Sequence, residues 1–328
     1  MWSQQIRTGW AADTVSGSGE VDALTVALRF ALYVDLMLLF GASAFVLHAL
    51  RGAERRVGEV LPSGATTATT AIVALALSSV SLVSLAASMA GATLAIVDRA
   101  AIDAVLWGMP IGVAWRVRMV ALAVALVSVL LWRRAPALAA AICALSGAVA
   151  LGSLAWSGHG AMDAGGRGWL HLLSDIVHLL AAGIWIGTLF ALLLLVFRPA
   201  RRADRVHLAR AHHALKGFSA TGTFVVLAIV LTGLANSWLV VGPAALLSAP
   251  GTLYGQLLIA KLVLFAAMLG LAAANRYRLV PRFERALAAG DHAAALIALR
   301  ASLLIETGGA VAILALVAWL GTLAPAAG

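Results

Sequence analysis

The sequence predicts an all-α polytopic membrane protein: a bundle of eight transmembrane helices with both termini on the extracytoplasmic side. Three observations carry this. Of 328 residues, 62% are hydrophobic and only 11% charged, whereas a soluble domain is roughly a quarter charged. Uncharged runs such as 71–97, and 119–131 with its flanks, reach or approach the roughly 20 apolar residues a spanning helix needs. The basic residues fall in every second linker, as the positive-inside rule requires of a multi-span protein. Strand-like alternation is absent, which argues against a β-barrel.

The elements follow in order. Residues 1–22 form a polar N-terminal segment without the basic-then-apolar order of a cleavable signal, so the first apolar run, 23–50, is expected to be retained as a helix. Hydropathy and breaker residues then place helices at 69–91, 114–132, 136–156, 169–197, 217–241, 254–275 and 301–323. Between the second and third, residues 100–109 with Trp107 read as an interfacial helix. The chain divides into an N-terminal four-helix half, 23–168, and a C-terminal four-helix half, 169–328.

Charge sets the orientation. Linkers 51–68, 133–135, 198–216 and 276–300 hold 16 of the 23 basic residues, while the opposite ends and linkers hold only Arg7, Arg99 and Arg167. The richly basic side is the cytoplasmic one, so both termini face away from it, and an even helix count is required. The net charge of +9 is therefore a membrane-topology signal and not a nucleic-acid footprint. Residues 201–218 read as a basic helix lying on the cytoplasmic leaflet, with His207, His212 and His213 on a solvated face.

Ionisable groups inside spanning helices cost roughly 2.5–3.5 kcal/mol each even on the lower scales, which makes them functional candidates. The fifth helix carries three of interest: His171, Asp175 and His178, in HLLSDIVHLL. Their spacings of four and three put them on one helical face. At 1.5 Å per residue His178 lies roughly 10 Å deeper than His171, so they read as successive rungs, not as one chelate. The preceding outer loop Ser157-Gly158-His159 adds an imidazole that could cap the site. Imidazole with carboxylate or thioether suits copper, with the valence left open. Cys143, the single cysteine, cannot build a Cys-x-x-Cys site. Met89 and Met162 read as packing, as do Gly183, Gly187 and Gly233. Arg116, Arg118 and Lys261 are expected to neutralise Asp35 and Asp175, and Glu306 to pair with Asn275.

The order of His178-x6-Trp185-x-Gly187-x-Leu189, Leu231-Thr232-Gly233, Thr252-x-Tyr254-Gly255-x2-Leu258-x2-Lys261, Asn275-Arg276, Glu306 and Leu323-x-Pro325 resembles the CopD family of bacterial copper resistance membrane proteins. Gly112-x2-Trp115-x2-Arg118 and Ser157-Gly158-His159 extend the likeness into the N-terminal half. The resemblance implies an inner-membrane protein that handles copper from the periplasmic side, often with a small β-sandwich carrier of the CopC type. It carries His159 and His178 over position by position. Residues 1–22 are too few for a fused carrier, so that partner is expected to be separate.

The expected function is thus binding of copper at His159, His171, Asp175 and His178 and its movement into or across the membrane, without enzymatic turnover. No P-loop or phosphorylated-aspartate motif is present, so ATP is not expected to drive it. The alternative is a haem-binding electron-transfer protein, possibly copper-reducing, which needs two imidazoles on facing segments at similar depth.

Overall fold

With no water in the bilayer core to satisfy backbone amides, an apolar chain spans a membrane as helices or as a closed barrel, and here helices do so throughout. The computed structural model describes residues 5–49, 64–158, 165–197, 205–240, 249–279, 281, 285 and 292–323, with 5–22, 49, 205–221, 249 and 292–296 described as backbone alone. Among the described residues there is no strand, and eight helices are long and apolar enough to cross a membrane.

In chain order these are α1, Gln5–Ala49, whose apolar part is Ala23–His48, and α2, Gly64–Met89. The short α3, Arg99–Gly108, is followed by α4, Pro110–Ser128, with a 3₁₀ turn Val129–Leu131. Then come α5, Pro136–Gly152, prolonged by Ser153–Ser157; α6, Gly165–Val196; and α7, Arg205–Val240. α8, Leu253–Ala274, ends in a π turn, Asn275–Leu279, and α9, His292–Leu320, is last. α3 is too short to span and coincides with the expected interfacial segment. Pro110 and Pro136 stand at the first turns of α4 and α5, where a missing N–H costs nothing and φ is already helical. Thr252 caps α8, its Oγ1 accepting from the Gly255 N–H at 3.1 Å.

Three differences from the sequence reading stand out. α1 begins at Gln5, so most of the polar segment 1–22 is helical and continuous with the first span, whose start the sequence predicts at 23. α4 begins at Pro110, not 114, because proline starts a helix well. The basic segment 201–218 does not form a separate surface helix: from Arg205 onward it is continuous with the sixth span in α7. Gly217 alone costs about 1 kcal/mol, too little to break a helix of that length.

α1 is central, packing against α6, α5, α2 and α9, while α6 also contacts α7 and α8 lies on α9. The α1–α6 crossing is backbone on backbone. A Cβ on Gly41 would enter the backbone of Gly183 and Gly187, and one on Gly187 would enter that of Gly41. Gly147 of α5 meets Phe40 in the same way. In lipid, where apolar surface alone drives no association, such small-residue contacts are what bring helices together. Phe224, Leu231, Leu234, Leu262 and Val263 stay exposed on α7 and α8, a face suited to lipid.

At the far end of the bundle from His171, the Asn275 amide donates to the buried Glu306 carboxylate, as the sequence suggests, and the Ser302 hydroxyl donates to Asn275 Oδ1 at 2.6 Å. The expected role of Arg118 is not met. It is 4% exposed and its Nε donates to Ser153 Oγ at 2.8 Å. Asp35, also buried, has Oδ2 without a partner. Arg116 lies over the Trp107 ring at 4.3 Å. A helix pattern gives depth but not azimuth, so residues at one depth can face different neighbours.

Candidate functional site

α6 supplies the first wall. Its 4-and-3 spacing stacks His171, Asp175 and His178 along one face, and all three line a single cavity of about 190 Å³. α8 answers with the same spacing in Tyr254, Leu258 and Lys261; α7 contributes Gly233, Asn236 and Ser237; α1 contributes Arg29 and Tyr33; and Gly321 stands at the end of α9. Leu154, Ala155 and Gly158 close the side toward α5.

His171 is 2% exposed, with Nε2 3.9 Å from Asp175 Oδ2. The Asp175 side chain, 23% exposed, opens into the cavity. Its Oδ1 accepts from Asn236 Nδ2 at 2.6 Å, and Lys261 acts on it electrostatically from α8. A Cβ at Gly158 would stand 3.7 Å from Asp175 Oδ2, so the backbone entering the outer loop passes beside the carboxylate.

The hydrogen-bond pattern around His178 points to one tautomer. Nδ1 lies 2.9 Å from Thr232 Oγ1, and that hydroxyl has spent its one proton on the Ala228 carbonyl at 2.5 Å. Thr232 therefore accepts and Nδ1 donates. Nε2 is left as the lone-pair nitrogen of a ring that lines the cavity. This is the arrangement in which an outer partner orients an imidazole for a metal. A side chain at position 233 would come to 3.5 Å from His178 Cε1, so the glycine keeps the ring's flank open.

Of the four ligands read from the sequence, His171, Asp175 and His178 share the cavity, and His159 lies outside the described residues, as does Met162. Among the described residues no three of His, Cys, Asp or Glu converge closely enough to form a metal cluster. The three α6 residues thus line one space without forming one coordination sphere, as their spacing along the helix dictates. Met89 is 56% exposed and takes no part in the cavity wall. Thr232 and Tyr254 enter the sequence reading only through the family likeness, and Asn236 and Tyr33 do not enter it at all. Thr232 and Asn236 sit four apart on α7, which is the one local sign of a polar face there.

A bis-imidazole haem would need a second histidine facing α6. Among the described side chains the remaining imidazole, His48, is at the opposite end of α1, with Nδ1 2.7 Å from the Ala44 carbonyl oxygen.

Residues 20–169 match the family described as copper resistance protein D-like, N-terminal domain, and residues 212–320 match copper resistance protein D. Copper resistance protein D of Pseudomonas syringae pv. tomato is 43% identical over 304 residues, covering 93% of this chain and 97% of that protein. Inner membrane protein YebZ of Escherichia coli (strain K12) is 33% identical over 132 residues, 40% of this chain and 43% of YebZ. Copper transport protein CutJ of Bacillus subtilis (strain 168) is 34% identical over 102 residues, 31% of this chain and 18% of CutJ. No solved structure matches. Similarity of this extent, running through both halves of the bundle, means that the chain belongs to the copper resistance protein D family.

Proposed function

We propose that this protein sits in the bacterial inner membrane with both termini periplasmic. It takes copper into the cavity beside α6 from the periplasmic side and moves it into or across the membrane. In this reading His159 and His171 receive the ion at the mouth, and Asp175 and His178 hold it deeper in the bundle. A separate carrier of the CopC type delivers the copper. The protein acts as a conduit and performs no chemical turnover.

The observation that carries this reading is His178. Its Nδ1 is committed to Thr232, and its Nε2 belongs to a ring on the wall of a cavity shared with His171 and Asp175. An imidazole oriented by an outer partner on the wall of a cavity that also holds a carboxylate is poorly explained as packing, and well explained as a borderline-to-soft metal ligand. Similarity to CutJ, a copper transport protein, supports movement of the ion, and the basic linkers at 51–68, 133–135, 198–216 and 276–300 support the orientation.

The test is copper uptake into proteoliposomes containing the full-length protein, compared with His178→Ala. Uptake above protein-free vesicles that falls to background in the variant is the expected result. Equal uptake by the two proteins would remove the conduit reading.

A further inference from the structure

The cavity carries more positive charge than its carboxylate answers. Arg29 and Lys261 both line it, and among the described residues Asp175 is the one acidic side chain in its lining. Arg118, buried beside Tyr33 and hydrogen-bonded to Ser153, adds a third cation just behind the wall. Copper arriving alone would therefore meet an excess of like charge, in surroundings that screen it far less than water does.

Arg29 shows where that excess can be answered. Its guanidinium folds over the end of α9 at Gly321, where an added Cβ would stand 2.9 Å from Nε and overlap the head group. Glycine at 321 is what lets the head group into this corner. Nε packs against that corner and finds no acceptor among the described residues, while Arg29 as a whole lines the cavity, so its charge is open to an answer from the cavity side. Hydroxyl-bearing Tyr33, Tyr254 and Ser237 line the same cavity. The space admits a metal ion together with several water-sized bodies.

We propose that the Arg29 corner of this cavity is a subsite for a small monovalent anion the size of chloride, held by the Arg29 guanidinium with Lys261 nearby. Its task is to offset one of the two lining cations so that copper can occupy the Asp175–His178 part. That task rests on the copper reading above; the binding of the anion does not.

The experiment uses full-length protein in detergent micelles, freed of metal and held in gluconate, with chloride added back while the 35Cl line width is followed. Wild type is expected to give saturable excess broadening. Arg29→Met is expected to abolish it, and Arg99→Met, a change at an exposed cation away from the cavity, to leave it intact. Broadening that never saturates, or that is the same in Arg29→Met as in wild type, overturns the proposal. Should Arg29→Met not fold, Lys261→Met stands in for it: at least a tenfold weaker chloride affinity supports the subsite, and an unchanged affinity overturns it. Chloride binding by a protein that takes up no copper would sink the copper reading and leave the subsite standing. Copper uptake by a protein that binds no chloride would do the reverse.

Discussion

Thr232→Val tests whether His178 is oriented as a ligand. Valine keeps nearly the volume of threonine but removes the oxygen that accepts from Nδ1 at 2.9 Å. The ring then loses the side-chain partner of Nδ1 and keeps only its contact with the Ile229 backbone; a lost hydrogen bond of this kind costs folding about 1 kcal/mol. Loss of an outer-shell partner typically lowers metal affinity about 10–100-fold, or about 1.4–2.8 kcal/mol. Copper affinity should therefore fall by one to two orders of magnitude. The assay is competition of purified protein against a chromogenic copper chelator, with thermal unfolding recorded in parallel. Thr232→Ser, which keeps the oxygen, should remain near wild type. Wild-type affinity in Thr232→Val would refute the argument that this hydrogen bond readies His178 for copper.

Three further outcomes follow from other parts of the molecule. Gly187→Leu forces a side chain into the backbone of Gly41, so the loss should exceed the roughly 1–3 kcal/mol of ordinary overpacking; size-exclusion profiles and melting temperature in detergent will show it. Asn275→Leu strips the donor from Glu306 and the acceptor from Ser302, and should lower stability by about 1.5–3 kcal/mol, the worth of a hydrogen bond to a charged group, read from the same melts. Alkaline phosphatase fused after Gly328 should be active and fused after Arg201 inactive; the opposite pattern would invert the proposed orientation.

Much of the architecture was legible because it depends on local chemistry. Long apolar runs announced the spans, the helix expected from 136 does start at Pro136, Pro110 could have marked the start of α4 more closely, and the i, i+4, i+7 spacing of His171, Asp175 and His178 put them on one face. Asn275 and Glu306 also pair as their similar depth suggested. Arg118 did not: depth placed it level with carboxylates, yet its Nε turns to Ser153. The partners that give the site its character were the least legible. Thr232 and Asn236 come from α7, Arg29 from α1 and Lys261 from α8, and no local pattern says that these faces meet α6.

The sequence by itself determined that the chain lives in a membrane, how many times it can cross, and which α6 side chains are too costly in hydrocarbon to be there without purpose. Tertiary structure alone decided that α1 and α6 meet through Gly41, Gly183 and Gly187, and that a cavity opens where α6, α7, α8, α1 and the end of α9 come together. Burial of a helix in lipid is set by its own composition. Which helices lie side by side is set by backbone approach and hydrogen bonds between residues distant in the chain, and these exist only once the bundle has closed.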